Sequence, residues 1–282
     1  MLPRIETLID LALDEDAAFG DVTSESIFAP DHVSNAHISA RQELTVCGVE
    51  VARRVFQRVD SSVQVKLACR DGERLKTGKA VLNVSGPTIS LLIAERTALN
   101  FLQHLSGIAT LAQCFAIAAR QSGTGVRIVD TRKTTPGWRA LEKYAVRCGG
   151  CSNHRLSLGE HVLIKDNHVA AAGSIAKAVA RARAAAPHGA KIEVEADSLP
   201  EVRAALKAGA EIILLDNMSP QQIRAAVSLI DRAAMVEVSG GVRLETIEDY
   251  ALAGVDVISV GALTHTAPAA DLNMTLTPAR KK

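Results

Sequence analysis

The second half of the chain repeats one pattern six times, a short apolar run followed by a segment of helical periodicity. Corresponding residues recur every 21 or 22 positions, as Glu195, Asp216, Val238 and Val260 do. This period is the length of a strand, a loop and a crossover helix in a parallel βα barrel. The repeat therefore predicts such a barrel, although six units are fewer than the eight of a complete one.

Each repeat can be divided into elements. The predicted strands are 126–130, 161–165, 191–195, 211–216, 235–239 and 256–261. The predicted helices are 138–148, 174–186, 200–208, 221–231 and 244–253. Gly209 and Gly254 stand where two of these helices should stop, because glycine accepts the left-handed conformation that ends many helices.

Residues 1 to about 107 have a different rhythm and predict a separate α/β domain. Its predicted strands are 36–44, 63–69 and 80–84, and its predicted helices are 49–59 and 88–105. The tail at 271–276 alternates polar and apolar residues as a strand does, so we expect it to return to this domain. The predicted domains are 1–107, joined by the tail 268–282, and a barrel at 108–267.

Composition excludes several classes of protein. The 282 residues are 48% apolar but only 3% aromatic, which suits helix-on-sheet packing and disfavours base-stacking platforms for nucleic acid. We expect no membrane span, because no apolar run approaches the roughly 18 residues that one requires. The acidic residues near the start disfavour a signal peptide, and five irregularly spaced cysteines disfavour a disulfide framework. These features predict a cytoplasmic protein.

Polar residues follow the predicted strands at one end of each. They are Asp130 with Arg132 and Lys133, then Lys165, Glu195, Asp216, the run Ser239, Gly240 and Gly241, and Gly261. In a βα barrel the carboxyl ends of the strands meet at one mouth, where ligands bind. Any one of these residues could be a solvated loop residue, but six positions in register predict a binding site.

Cations are concentrated between Asp130 and His168, on a chain with a net charge of only +1. The candidate ligands in and beside this segment are Arg132, Lys133, His154, Arg155 and Lys165. Arginine binds carboxylates through two parallel hydrogen bonds, whereas lysine neutralises charge without fixing orientation. This mixture predicts a small planar ligand with two carboxylates. The alternative is a solvated rim of charges, in which crowded cations would repel one another.

Glu195 and Asp216 form an opposite, acidic side of the mouth. Two carboxylates on neighbouring strands can hold Mg²⁺ and accept hydrogen bonds from ribose hydroxyls, or act as an acid and a base. Their alternative role is ion pairing with Lys165 or Lys133. Glu193 is expected to point away from this site.

Three other patterns carry less information. The run Ser239, Gly240 and Gly241, with Gly261 one unit later, predicts a phosphate site, since glycines let backbone N–H groups approach the oxygens. Cys148 and Cys151 have the spacing of a redox or metal motif but lack its context. His161 and His168 bracket one strand and are interpreted as structural.

Taken in order, the motifs resemble a known family. They are AERTALNFLQHLSGIAT, DTRKTTPG, RALEKYAVRCGG, SNHR, LIKDNH, IEVE, LLDN, EVSGG and VGALTH, and together they span nearly the whole chain. The chain resembles quinolinate phosphoribosyltransferase, the carboxylating nicotinate-nucleotide pyrophosphorylase of NAD biosynthesis. The resemblance implies an N-terminal α/β domain beside an incomplete βα barrel, in a homodimer or a hexamer built as a trimer of dimers.

The resemblance also implies a reaction and a role for each candidate residue. A phosphoribosyl group would pass from phosphoribosyl pyrophosphate to quinolinate, giving nicotinate mononucleotide, pyrophosphate and CO₂. The quinolinate ligands would be Arg132, His154, Arg155 and Lys165, with Arg96 from a neighbouring subunit. The catalytic set would be Lys133 on the pyrophosphate, Lys165, and Glu195 and Asp216 on the ribose and Mg²⁺. Ser239, Gly240, Gly241 and Gly261 would bind the 5-phosphate.

Three alternatives remain open at this point. A paralogous phosphoribosyltransferase of the same fold could act on another acid, although a single carboxylate would not require so many cations. A Schiff-base aldolase could use Lys165 or Lys133. A non-catalytic anion-binding protein or scaffold would not need Glu195 and Asp216.

Overall fold

The computed structural model describes residues 5–278 and divides the chain into two compact units. The first unit contains the chain up to Gln113, the segment Pro136–Gly150 and the chain from Thr266 onward. The second, which we call the barrel unit, contains Cys114–Thr135 and Cys151–His265. Residues 1–4 of the predicted first domain and 279–282 of its tail lie outside the described residues.

The elements follow one another closely along the chain. The helices are α1 Ile5–Ala17, α2 Val22–Ile27, α3 Val49–Val59, α4 Thr88–Gln121, α5 Arg139–Cys148, α6 Asp166–Ala172, α7 Ile175–Ala185, α8 Leu199–Ala208, α9 Pro220–Ile230, α10 Ile247–Tyr250 and α11 Ala262–His265. The strands are β1 Val33–Ala40, β2 Leu44–Thr45, β3 Gln64–Leu67, β4 Arg74–Leu75, β5 Ala80–Pro87, β6 Arg127–Val129, β7 Val162–Ile164, β8 Ile192–Ala196, β9 Ile212–Asp216, β10 Met235–Ser239, β11 Val257–Ser259 and β12 Leu272–Pro278. A turn of 3-10 helix, Leu244–Thr246, precedes α10.

The first unit is built on an antiparallel sheet in the order β12, β1, β5, β3, with β2 and β4 forming a separate pair. Strand β1 alternates buried and more exposed residues, and its buried Ile38 lies opposite Met274 of β12 and Leu82 of β5. This alternation is expected of a sheet with one face on a core. The tail strand thus returns to the first unit, as its alternation predicts.

Helix α4 is the longest element and extends 16 residues beyond the predicted end at 105. Gly107 does not stop it, because that glycine serves a close approach: an added Cβ would lie 2.0 Å from the carbonyl oxygen of Pro268. The apolar stripe continues through Ile108 and Ala112, which are fully buried. The predicted helix end was therefore wrong.

By length and composition α4 could cross a membrane, although its sequence contains no continuous apolar run of about 18 residues. However, 56% of its most apolar stretch is buried inside the molecule. Leu91, Ala94, Ala98 and Leu102 are fully enclosed. Such burial is typical of a core helix, and one such helix is weak evidence for a span.

The barrel unit contains six parallel strands in the order β6, β11, β10, β9, β8, β7. The last strand, β11, pairs with the first, β6, so the ring of strands is open only between β6 and β7. The six-unit incomplete barrel is confirmed. Its core is aliphatic, with Val194, Ile213 and Ile258 fully buried.

Two parts of the repeat differ from expectation. Helix α5 clusters with the first unit and not with the barrel, because it is fastened there: Glu142 bonds His104 of α4 at 2.8 Å, and Tyr144 donates to Asp71 at 2.9 Å. The predicted helix 244–253 is reduced to the 3-10 turn and α10, which ends at Tyr250.

Candidate active site

The polar residues at the strand ends lie at one edge of the barrel unit. Lys165 directly follows β7, Glu195 lies one residue before the end of β8, and Asp216 and Ser239 end β9 and β10. Asp216 pairs in register with Ser239. Because the strands are parallel, their carboxyl ends share the same edge, so the sequence prediction of one mouth is consistent with the strand order.

Arg155 is anchored by a backbone carbonyl and is only 8% exposed. Its Nη1 donates to the carbonyl oxygen of His161 at 3.0 Å, at the entry to β7. Burial and the charge of the neighbouring Arg132 lower the pKa of the Arg155 guanidinium. The two positive charges therefore repel each other, partly offset by Glu193 and Glu160, and a bound anion would relieve the repulsion.

The loop that carries His154 and Arg155 is anchored by Asp130, a fully buried carboxylate at the end of β6. Its Oδ1 accepts the backbone N–H of His154 at 2.9 Å, and its Oδ2 accepts Nδ2 of Asn153 at 2.5 Å. Two hydrogen bonds to one ionised group fix the loop strongly. Asp130 therefore positions the loop that carries the two cations.

The His154 ring faces the acidic interior of the barrel. Its Nε2 lies 3.5 Å from Oε2 of Glu193 and 3.4 Å from Oε1 of Glu237, and its Nδ1 accepts the N–H of Arg155 at 2.9 Å. Burial alone would lower the pKa of this imidazole. The hydrogen bonds and charges of Glu193 and Glu237 outweigh that effect and raise the pKa to about 9.

The expectation that Glu193 points away from the site was wrong. Alternate residues of a strand point to the same face, so Glu193 and Glu195 share one side of β8. Glu193 is fully buried and bonds Nε2 of His161 at 2.8 Å as well as contacting His154. Burial opposes ionisation, but the two imidazoles keep its pKa lowered.

Glu193 and Glu237 form a second layer beneath the mouth that the sequence reasoning missed. Glu237 lies two residues before Ser239, just as Glu193 lies two residues before Glu195. A charged residue inside an otherwise apolar strand was the available signal, since an interior charge requires a partner.

The ligand atoms of His154, His161 and Glu193 lie within 4.8 Å of one another, close enough to hold a metal ion. The hydrogen bonds favour an ion-pair cluster instead. In the neutral ring Nδ1 of His154 accepts a backbone N–H and the proton belongs on Nε2, and in the charged ring Nε2 is protonated as well, although it would have to be the metal ligand. His161 is a satisfied structural histidine, as predicted. His168 is another, because its Nδ1 accepts the N–H of Lys165 at 2.9 Å.

The acidic side of the mouth consists of Glu195 and Asp216. Nζ of Lys165 forms a close ion pair with Oε2 of Glu195, which is the alternative role considered for these carboxylates. Asp216 accepts Nδ2 of Asn217 at 2.7 Å. Carboxylate oxygens from neighbouring strands suit Mg²⁺, which commonly takes one or two carboxylates together with substrate phosphates. The donor set therefore fits this ion.

Glycines open the far side of the mouth. Gly240 has a φ of +95°, and an added Cβ there would lie 2.8 Å from the backbone nitrogen of Asn217. Gly241 also has a positive φ but free space around it. At Gly261 a Cβ would approach the Lys133 side chain to 3.2 Å, so this glycine makes room for the lysine. The backbone of Lys133 is held by the Thr264 hydroxyl at 2.7 Å.

Arg96 lies in the first unit, on α4, and is exposed together with Asn100. Gln103, one helical turn beyond Asn100 on α4, makes hydrogen bonds to the tail. Its side-chain Nε2 donates to the backbone carbonyl of Leu272 at 3.0 Å, and its backbone carbonyl accepts the N–H of Ala270 at 2.9 Å. Gln103 therefore fastens the tail, while Arg96 presents its charge to solvent.

Comparison with known proteins identifies both halves of the chain. Residues 21–106 match the quinolinate phosphoribosyl transferase N-terminal domain, and residues 108–275 match the C-terminal domain of the same family. A relative from Mycobacterium leprae, named nicotinate-nucleotide pyrophosphorylase [carboxylating], is 44% identical over 94% of each chain. A relative from Bacillus subtilis, named a probable enzyme of the same kind, is 40% identical over 97% of this chain and 94% of its own.

Solved structures agree with these matches. The crystal structure of NadC from Streptococcus pyogenes superposes with a TM-score of 0.93 at 41% identity, covering 99% of this chain and 98% of the other. The Francisella tularensis nicotinate-nucleotide pyrophosphorylase gives a TM-score of 0.93 at 38% identity, over 98% of each chain. The chain belongs to the quinolinate phosphoribosyl transferase family.

Proposed function

We propose that the chain transfers the phosphoribosyl group of phosphoribosyl pyrophosphate to the ring nitrogen of quinolinate. Pyrophosphate and CO₂ leave, and the product is nicotinate mononucleotide, in the biosynthesis of NAD. Relatives named for this activity over almost their full length support the assignment. The structural observation that carries it is the anchored guanidinium of Arg155, which feels the charge of Arg132, in a barrel whose strand ends carry Glu195 and Asp216.

The cationic side would bind quinolinate. Arg155, fixed by the His161 carbonyl, offers a planar fork for one carboxylate, and Arg132 offers a second beside it. His154 adds positive charge from the loop anchored by Asp130. Lys165 neutralises charge between the two sides, since it already reaches Glu195. Arg96 would complete the set from the neighbouring subunit.

The acidic and glycine-lined sides would bind phosphoribosyl pyrophosphate. Glu195 and Asp216 would accept the ribose hydroxyls and hold Mg²⁺ through their oxygens. Ser239, Gly240, Gly241 and Gly261 would surround the 5-phosphate, where exposed backbone N–H groups suit an anion. Lys133, which passes beside Gly261, would contact the pyrophosphate.

The chemistry requires charge stabilisation more than proton transfer. The C1–oxygen bond to pyrophosphate breaks with oxocarbenium character at the ribose, and the quinolinate nitrogen forms the new bond to C1. Lys133 stabilises the negative charge that develops on the departing oxygen. Bound Mg²⁺ would supply further neutralisation of the same pyrophosphate. After the ring nitrogen becomes quaternary, its positive charge stabilises the carbanion left when CO₂ departs, and a proton completes the product.

The alternative reactions are less well supported. Nicotinate has a single carboxylate, so an enzyme specific for it would leave either Arg132 or Arg155 without a carboxylate to bind. A Schiff-base mechanism needs a free amine, whereas the nitrogen of Lys165 is held in an ion pair with Glu195.

We propose a cytoplasmic homodimer, or a hexamer that is a trimer of dimers, with no nucleic-acid or membrane partner. The scarcity of aromatic residues and the near-neutral net charge of +1 support the absence of a nucleic-acid surface.

Product analysis tests the reaction. Purified protein with quinolinate, phosphoribosyl pyrophosphate and Mg²⁺ should release CO₂, pyrophosphate and nicotinate mononucleotide in equal amounts. Nicotinate in place of quinolinate is the matched control and should react far more slowly. Turnover of nicotinate without CO₂, or an adduct on Lys165 trapped by borohydride, would replace the proposed reaction by one of the alternatives.

A further inference from the structure

Two thiols distant in sequence meet in the first unit. Cys47 follows β2 and is fully buried, and Cys148 is the last residue of α5 and is partly exposed. Each thiol shifts the pKa of the other, as neighbouring groups do, and both flank the turn at Asp71 and Gly72. Both are free thiols in the structure. The sequence pattern pairs Cys148 with Cys151, three residues on, but the fold brings it to Cys47.

The turn at Asp71 and Gly72 holds the two cysteines together. On one side, Gly72 donates its N–H to the carbonyl of Val46 at 2.8 Å, and Asp71 Oδ1 accepts the N–H of Gly48 at 2.8 Å. On the other side, Asp71 Oδ2 accepts the hydroxyl of Tyr144 at 2.9 Å. The neighbours of both thiols are thus fastened to one turn, which limits how far the sulfurs can separate.

Close packing reinforces this arrangement at the end of α5. A Cβ added at Gly72 would lie 3.3 Å from the carbonyl oxygen of Cys148, and one added at Gly149 would lie 2.3 Å from the carbonyl oxygen of Ala109. The backbone that carries Cys148 is therefore packed against the turn and against α4. A disulfide forms readily where the backbone holds its cysteines close, and these contacts bring both cysteines to one turn.

The two sulfurs are chemically different. The contact with Cys47 lowers the pKa of Cys148 in spite of burial, whereas the same contact and burial raise the pKa of Cys47. Burial raises the pKa of Cys69 to about 11 and that of Cys151 to about 12. The thiolate is the reactive form of cysteine, so Cys148 has the environment of a nucleophile. Cys47 has the environment of a resolving cysteine, which remains a thiol until its partner is oxidised.

We propose that Cys148 and Cys47 form an oxidation site, in which Cys148 reacts with hydrogen peroxide and Cys47 then closes a disulfide. The Cys148 thiolate attacks one peroxide oxygen, the O–O bond breaks, and the released hydroxide takes up a proton to become water. The resulting sulfenic acid is attacked by the sulfur of Cys47. The S–O bond breaks, the thiol proton of Cys47 leaves with the hydroxide as a second water, and the S–S bond forms.

The electron balance is complete. The two thiols lose two electrons and two protons, and one peroxide molecule becomes two molecules of water. A dithiol reductant reverses the modification by exchange. The site lies in residues that the proposed catalysis does not use, so its chemistry can be measured without an activity assay.

Peptide mass spectrometry of the reduced full-length protein after a brief exposure to hydrogen peroxide tests the proposal. We expect a cross-linked peptide that joins Cys47 to Cys148 and disappears on reduction. Cys47→Ser should instead leave a sulfenic acid at Cys148 that dimedone traps. Cys148→Ser should protect Cys47 from modification.

Matched controls use the other cysteines. Cys114→Ser removes an exposed thiol and Cys151→Ser removes the other half of the sequence motif, and both should still form the disulfide. If a Cys47 variant fails to fold, the presence or absence of the cross-linked peptide in the wild-type protein still tests the proposal. A free Cys148 beside an oxidised Cys114, or a bond from Cys148 to Cys151 or to another molecule, would overturn the proposal.

Discussion

Arg155 donates through Nη1 to the backbone carbonyl of His161, at 3.0 Å. The ring of His161, on the same residue, bonds Glu193 at 2.8 Å. One residue at the entry to β7 thus fixes both the guanidinium of the mouth and the buried carboxylate beneath it. The orientation of the fork is therefore built into the barrel and does not depend on the ligand.

Arg155→Lys should impair catalysis severely although the charge is kept, because a lysine cannot reproduce the fork or its bond to the His161 carbonyl. A loss of charge-assisted hydrogen bonds at about 1.5 to 3 kcal/mol corresponds to roughly a 10- to 150-fold decrease in kcat/KM. Steady-state kinetics with quinolinate measures this effect. Arg224→Lys, on the exposed side of α9, is the control. Kinetics equal to wild type would remove Arg155 from the quinolinate site.

Glu195→Gln and Asp216→Asn should weaken the use of phosphoribosyl pyrophosphate and the response to Mg²⁺ more than quinolinate binding. Both carboxylates belong to the proposed ribose and metal side of the mouth. Titration calorimetry with each ligand separates the effects. If quinolinate affinity falls while the Mg²⁺ response is unchanged, the two sides of the mouth have been assigned the wrong way round.

Gly240→Ala should be far more damaging than Gly241→Ala. Both positions have positive φ, which costs an alanine about 1 to 2 kcal/mol, but only at Gly240 would the new Cβ meet a backbone nitrogen, that of Asn217, at 2.8 Å. A displacement of about 1 Å at this strand end should raise the KM for phosphoribosyl pyrophosphate or lower kcat by up to about 100-fold. Kinetics and thermal unfolding of the two variants provide the comparison. Equal effects would mean that backbone conformation alone requires both glycines.

The ion pairs of His154 should make the stability of the barrel unit depend on pH. The folded pKa of about 9 exceeds the reference value of 6.5, so this contribution is complete below about pH 6.5 and is lost as the pH rises through 9. The pKa of Glu193 is lowered from 4.5, so its contribution is present above that value and is lost as the pH falls through the folded pKa. Stability from the pair should therefore be greatest between about pH 4.5 and 6.5.

Glu193→Gln should flatten this pH dependence and cost about 1 to 3 kcal/mol of unfolding free energy near pH 6. Urea unfolding at pH 6 and above pH 9 measures it, with the exposed Glu245→Gln as control. Ring nitrogen shifts should report a doubly protonated His154 at pH 7, in which a proton on Nδ1 replaces the hydrogen bond from the N–H of Arg155 because the two carboxylates favour the charged ring. A neutral ring with an unchanged pH profile would contradict the charged pair.

Arg96→Ala and Lys165→Ala, each inactive alone, should recover activity when co-expressed if the site is shared between subunits. A mixed dimer has one site with both lesions and one with neither, and random pairing of equal amounts should restore about a quarter of wild-type activity. Lys165→Ala mixed with Glu195→Ala is the control and should recover nothing, because both residues belong to one chain's mouth. Mixed dimers that remain inactive would show that Arg96 does not act across an interface.

Much of the fold follows from local patterns. Helix α3 was predicted with its observed ends, and the six barrel strands within two residues, because periodicity and glycine positions are local properties. The misplaced end of α4 arose from a glycine that serves packing against Pro268, which only the folded chain brings there. The assignment of α5 to the first unit depends in the same way on its bonds to His104 and Asp71.

The site shows the same limit. The residues of the mouth could be predicted because each ends a strand of a recognisable repeat. The layer beneath it was missed because Glu193, two residues from Glu195, was expected to point to the opposite face of the strand, whereas residues two apart share a face. Glu237 was not considered. The contact between Cys47 and Cys148 spans a hundred residues, and nothing in either local sequence indicates it.

The opening between β6 and β7 has a consequence for aggregation. An open ring has two free strand edges, and free edges can pair with other chains. The edge of β6 is covered by the loop before His154, since Ser152 donates to the carbonyl of Ile128 at 2.9 Å and accepts the N–H of Asp130 at 3.3 Å. The segment that leads to the cations proposed to bind quinolinate therefore also covers this edge of the sheet. Changes that loosen it should reduce solubility together with activity, which links the evolution of specificity at this loop to the need to remain unaggregated.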